Sequence, residues 1–220
     1  MLKYNEYITE AKKEKEHPFL LAAKSGSANK VKDFIKSGVD INMQDSNKRT
    51  ALMLASLEGF LIVVNALIDA GADVNLTDYM HRTALMMSKT NSIITKILSA
   101  KNIDVNIQDD KGNTVMMEQL TYDYSPRIMI RFLDQFLEKG LNLDIKNNRN
   151  LNFYEELQYK ILNTADRPPR HGSKLSDLYE FEKYMDNRFP KYKEDWNKNK
   201  WDIEWYWKYQ LDKNKDKFNL

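Results

Sequence analysis

The sequence predicts an all-α fold: a solenoid of paired short helices with hairpin-like turns, followed by a helical, aromatic-rich C-terminal extension. Two echoes predict it. Thr50-Ala51-Leu52-Met53-Leu54-Ala55 returns as Thr83-Ala84-Leu85-Met86-Met87-Ser88, and Gly38-Val39-Asp40-Ile41-Asn42 returns as Gly71-Ala72-Asp73-Val74-Asn75, both at a spacing of 33 residues. Self-similarity at such a period marks stacked supersecondary units, each of which buries its apolar face only against its neighbours. The third observation is the pattern inside one period, where apolar residues recur at helical spacing twice over.

The unit with the fullest signals sets the frame. Thr50 follows the turn Asp45-Ser46-Asn47-Lys48-Arg49 and precedes Leu52, Leu54 and Ala55. A threonine there accepts a hydrogen bond from the unpaired amides of a helix start. Glu58-Gly59 ends this helix, and Leu61, Val64, Leu67 and Ile68 form the apolar face of a second. Gly71 stops it in the left-handed conformation that glycine adopts without strain. The unit before it fits the same frame, with Pro18 in the first helical turn, then Phe19 to Ala23, Gly26, Val31, Phe34, Ile35 and Gly38.

The next unit runs from Thr83 to Asn106 and is two residues shorter, with Asn102 at the place of the stop glycine. A fourth starts at Gly112-Asn113-Thr114-Val115-Met116-Met117 and ends at Gly140-Leu141-Asn142-Leu143-Asp144. It carries about five extra residues around Thr121-Tyr122-Asp123-Tyr124-Ser125-Pro126, and Pro126 opens its second helix, with Phe132, Leu133, Phe136 and Leu137 apolar. The expected organisation is a capping helix over 1–16, about four units over 17–148, a degenerate fifth over 149–162, a Pro/Gly linker over 163–174, and a C-terminal helical cap or binding extension over 175–220. In that extension Leu178, Phe181, Met185 and Phe189 make one stripe, and Trp196, Trp201, Trp205 and Trp207 follow, interleaved with lysines.

Helix starts, helix stops and period together resemble the ankyrin-repeat family over roughly residues 17–148. The family's helix start is Thr-Pro-Leu-His. Here Ala51, Ala84 and Val115 replace the proline, and Met53, Met86 and Met117 replace the histidine. The family's turn glycine survives as Gly112, with Lys48 and His81 at the equivalent places. A non-glycine residue at positive φ there costs about 1 kcal/mol. The resemblance implies a concave strip of turn tips and first helices that binds another protein, with no catalysis and no cofactor.

Composition narrows the remaining classes. Hydrophobic residues make 42% and charged residues 30% of the chain, as in folded globular proteins. The formal net charge of +2 supplies no field to draw nucleic acid or a membrane surface. No cysteine is present, which removes disulfides and thiolate chemistry and fits a reducing compartment. The segment Met1 to Glu6 has no apolar leader pattern, and the run Phe60 to Val64 is too short to span a bilayer. The expected location is therefore the cytoplasm, or a host cytoplasm for a viral or secreted effector, and a monomer is expected. Abundant Lys, Asn, Ile and Tyr point to an AT-rich bacterial, phage or viral genome.

No motif for chemistry emerges. His17, His81 and His171 stand alone, with no second ligand at metal spacing. There is no Gly-rich phosphate loop and no nucleophile elbow. Asp40, Asp73 and Asp104 recur with the repeat and read as turn formers.

The function expected is a protein–protein interaction module that binds and inhibits or modulates a partner, suited to a phage- or pathogen-encoded inhibitor or effector. The candidate contacts are the turn-tip residues Arg49, Tyr79, Met80, Arg82, Asp110, Lys111 and Asn113, the insertion residues Tyr122 and Tyr124, and Trp201 and Trp205 of the tail. Tyrosine and arginine are typical interface anchors, and Arg49 and Arg82 share a register that brackets Tyr79. Replacing Tyr79 and Arg82 by alanine is expected to weaken a complex without changing the melting curve. Two other readings compete: single-stranded nucleic acid stacked on the basic aromatic tail, which Glu194, Asp195, Asp202 and Glu204 argue against, and an oligomerising adaptor. The helix-start methionines read either as core or as an adaptable contact surface.

Overall fold

The computed structural model describes residues 16–119, 126–156, 183–185 and 187–190. The chain divides into two compact units, Met1–Asp110 and Lys111–Leu220.

In the first unit the described elements are α1 (Pro18–Lys24), α2 (Ala28–Lys36), α3 (Ala51–Glu58), α4 (Leu61–Asp69), α5 (Ala84–Met87) and α6 (Asn91–Leu98). The first helices of successive pairs, α1, α3 and α5, pack side by side. Their partners α2, α4 and α6 form a second row, and each pair packs across the rows. No strand occurs among the described residues; isolated bridges join Gln44 to Thr50 and Thr77 to Thr83 across the turns.

In the first unit the first helix of each pair starts at a side chain that caps it. Thr50 Oγ1 accepts from the Met53 amide and Thr83 Oγ1 from the Met86 amide, each at 3.3 Å. In α1 the same service comes from His17, whose Nδ1 accepts from the Phe19 amide at 3.2 Å, with Pro18 as the first helical residue. So His17 is a cap, which the sequence did not suggest.

Because α3 is flanked by α1, α4 and α5, every residue from Ala51 to Ser56 is buried. A helix apolar all round is stable only in such a position. By contrast α2 buries Val31 and exposes Lys30, Lys32, Asp33 and Lys36. The methionines at helix-start positions are core: Met53, Met86, Met87, Met116 and Met117 are all 5% exposed or less.

Gly71 stops α4 as expected. At φ 88° it lets its own amide reach Ile68 C=O and the Ala72 amide reach Leu67 C=O, both at 3.0 Å, a Schellman closure. Asn102 does not do the same for α6, correcting the sequence expectation. Among the described non-glycine residues only Lys48, His81 and Asn150 have positive φ. Helix α6 ends earlier, with Ser99 in the right-handed region and the Ala100 amide bonded to Ile97 C=O. The longer run from there to Asp104 needs no left-handed residue. The shortening of this unit falls in α5, which ends after four residues where Ser88 Oγ donates to Ala84 C=O at 2.8 Å.

The repeated Gly-x-Asp-x-Asn acquires a mechanism. Each aspartate accepts from the amide two residues on: Asp40 from Asn42, Asp73 from Asn75 and Asp104 from Asn106, at 2.8–3.0 Å. Two of these asparagines then tie to the next unit, with Asn42 Oδ1 accepting from the Asp73 amide and Asn75 Oδ1 from the Asp104 amide, both at 2.9 Å. Aspartate shapes the turn and asparagine sets the stacking register.

One polar group in this core lacks a partner. Ser56 is fully buried in α3 and its hydroxyl makes no hydrogen bond. An unpaired buried hydroxyl costs about 1–3 kcal/mol, and an apolar replacement of similar size removes that cost. Ser56→Ala is expected to raise the urea midpoint, by about 1 kcal/mol in stability; a fall in the midpoint contradicts this.

In the second unit the described helices are α7 (Val115–Gln119), α8 (Pro126–Glu138) and a helical turn at 153–156. Pro126 opens α8, as its missing amide favours. Val115, Met116, Met117, Phe132, Leu133, Phe136, Leu141, Leu143, Phe153 and Tyr154 form its core. Part of the tail belongs there too. Met185 is 1% exposed, and the Tyr184 hydroxyl donates to Asp134 Oδ1 of α8 at 2.7 Å. Burial, then this hydrogen bond, raises the Tyr184 pKa above the usual phenol value. The segment 1–15, the insertion with Tyr122 and Tyr124, the linker 163–174 and the tryptophans including Trp201 and Trp205 lie outside the described residues.

Candidate functional site

The turns are built around one aspartate each. Asp45 Oδ1 accepts from the amides of Asn47 and Arg49, both at 2.8 Å, and Asp78 Oδ1 accepts from those of Met80 and Arg82, both at 2.9 Å. The other carboxylate oxygen takes the turn's arginine. Arg49 Nε and Nη2 lie 2.8 Å from Asp45 Oδ2, and Arg82 Nε and Nη2 lie 3.1 and 2.8 Å from Asp78 Oδ2. These carboxylates are withdrawn from water, with side-chain exposures of 6% for Asp45 and 0% for Asp78. Lys48 at φ 58° and His81 at φ 56° make the left-handed step that closes each turn.

Adjacent turns are joined through the backbone. The Tyr79 amide donates to Asn47 C=O at 3.1 Å, and the Asp110 amide to Met80 C=O at 2.9 Å. Gln44 Nε2 straps the first turn to the next by donating to Lys48 C=O at 2.7 Å and Thr77 C=O at 3.2 Å. From Asp78 to Arg82 every amide is bonded within the protein. This turn has no free N–H to pair with an added strand.

The candidate residues separate on these terms. Tyr79 is 58% exposed and is one of three large apolar or aromatic side chains among the described residues that stand out in solvent, with Leu21 and Ile62. Met80 beside it is half-buried, and Asp110 is exposed. Arg49 and Arg82 are half-buried and engaged in their own turns. The signal for that was present as an Asp-to-Arg spacing of four in both turns, Asp45 to Arg49 and Asp78 to Arg82. In the second unit Lys111 is exposed, 4.0 Å from Glu118. Asn113 leaves the candidate surface, because it is 8% exposed and its Oδ1 accepts from Asn147 Nδ2 at 3.0 Å.

Among the described residues no group of His, Cys, Asp or Glu is arranged to hold a metal ion, and no helix is long and apolar enough to cross a membrane. Residues 19–109 match the family model of ankyrin repeats, in three copies. A search of curated proteins finds no match. Ankyrin repeats are generally protein–protein interaction modules, and the family is typically non-catalytic. With side-chain-capped first helices, two helix rows and aspartate-centred turns joined edge to edge, residues 19–109 form an ankyrin-repeat array.

Proposed function

We propose that the chain binds and modulates another protein through its turn tips, with Tyr79 as the central contact and Met80 and Asp110 beside it. One observation carries this reading. Tyr79 stands 58% exposed on a turn whose amides are all bonded and whose arginine is held by Asp78. Its side chain serves no visible purpose in the turn. A rigid aromatic on a fixed backbone loses little conformational freedom when it docks, which is why tyrosine recurs as an interface anchor. Binding through a small preformed surface of this kind suits an inhibitor or effector.

The test is a titration against the partner captured by the full chain from its native host. Tyr79→Ala is expected to weaken that complex by more than about 1 kcal/mol while leaving the melting temperature unchanged. Equal affinities for the variant and the parent would sink the assignment of this surface.

A further inference from the structure

The last turn described in the second unit repeats the geometry of the others with different chemistry. Asn147 stands where Asp45 and Asp78 stand in theirs. Its Oδ1 accepts from the amides of Arg149 at 3.0 Å and Leu151 at 3.2 Å, and its own amide donates to Leu151 C=O at 2.9 Å. Asn150, at φ 61°, makes the left-handed step. Asn152 then caps the helical turn reciprocally: its Oδ1 accepts from the Glu155 amide at 2.9 Å, and Glu155 Oε2 accepts from the Asn152 amide at 2.8 Å. A neutral asparagine offers no charge to an arginine, and the ion pair has moved. Arg149 pairs with both carboxylate oxygens of Glu156, on the helical turn instead of within the tip. Glu156 is 2% exposed and also accepts from Asn147 Nδ2 at 3.1 Å, and the same amide nitrogen reaches Asn113.

We infer that residues 147–156 are a fifth unit held closed by this latch, which opens as one piece without the opening of residues 16–110. In the turns of the first unit each carboxylate is satisfied inside its own tip. Here the buried carboxylate depends on a cation in a different element, and Arg149 is 47% exposed. Losing the cation leaves Glu156 charged and dry, which is far more costly than never having had the pair. The pair lies wholly within residues 147–156, so this cost falls on that segment and appears as local opening. Opening also withdraws the fifth turn from the fourth, since the Asn148 amide donates to Lys111 C=O at 2.9 Å. The latch thus governs whether the fifth turn stays paired with Lys111.

Native-state hydrogen exchange on the full chain tests this with three variants. Arg149→Met, carrying the side chain that stands at the same place in the turn of Asp78, is expected to speed exchange across 147–156 about tenfold or more, with amides between 50 and 98 unchanged. Adding Glu156→Gln to it is expected to restore part of the lost protection, because the stranded charge is gone. Glu156→Gln alone is expected to lose less protection than Arg149→Met, because the half-exposed guanidinium it leaves behind stays hydrated. Additive losses in the double variant, unchanged exchange over 147–156, or equal losses over 50–98 would each overturn the inference.

Discussion

Gly112→Ala is expected to destabilise the second unit by more than about 3 kcal/mol, while Lys48→Gly and His81→Gly each leave stability equal or raise it by up to about 1 kcal/mol. The three residues occupy one structural position, at φ 73°, 58° and 56°. Any side chain at positive φ is strained by about 1–2 kcal/mol. Glycine relieves that strain, but it also loses more chain entropy on folding, so the net gain at positions 48 and 81 is small. At Gly112 a second term dominates. A Cβ there would lie 2.8 Å from the Asn148 amide nitrogen and 3.0 Å from Asn147 Cα. Those are backbone atoms, and that backbone also positions the Asn147 side chain, which donates to Asn113 and Glu156. The chain has no flexible end to move aside, so overpacking adds to the strain. Urea unfolding monitored by exchange in residues 111–156 distinguishes the cases. If Gly112→Ala costs no more than the strain alone, the close passage of the fifth turn is not what keeps glycine there.

This position shows what a sequence conveys about such a fold and what it withholds. The period, the caps at Thr50 and Thr83, the stop at Gly71 and the helix start at Pro126 were all legible, because each is decided by a residue's own backbone chemistry within a few neighbours. That Gly112 survives where Lys48 and His81 do not was also visible, but its reason is a contact with residues 35 positions later. The failed expectation at Asn102 has the same origin: residue preference favoured a left-handed stop, and the actual length between α6 and Asp104 removed the need. Burial beyond the repeat was hidden too. Asn113 looks like a polar tip residue in sequence, and only the fifth turn, through Asn147, makes it interior. For the candidate surface, exposure at Tyr79 was legible from register. The engagement of the arginines is written in the Asp-x-x-x-Arg spacing of both turns, but arginine's standing as an interface anchor favours the opposite reading.

That engagement sets the second large effect. Arg82→Ala is expected to lower stability by about 2–3 kcal/mol, in contrast to the sequence expectation that it would leave the melting curve intact. Asp78 is fully withdrawn from solvent, and Arg82 supplies two donors to its Oδ2. Removing the arginine leaves a charged oxygen with neither water nor cation. The partial exposure of Arg82, at 37% of its side chain, keeps the loss below that of a fully buried pair. Asp78→Asn in the same chain is expected to recover much of the loss. A neutral amide oxygen still accepts from the Met80 and Arg82 amides, and Asn147 demonstrates that arrangement in its own turn. A double-mutant cycle on the urea midpoint measures the coupling. Should Arg82→Ala prove as harmless as Tyr79→Ala, the guanidinium is free to serve a partner, and the turn does not depend on it. If the loss is as expected, weaker binding by an Arg82 variant reports on the turn that holds Tyr79 in place, and only substitutions at Tyr79 itself read the contact.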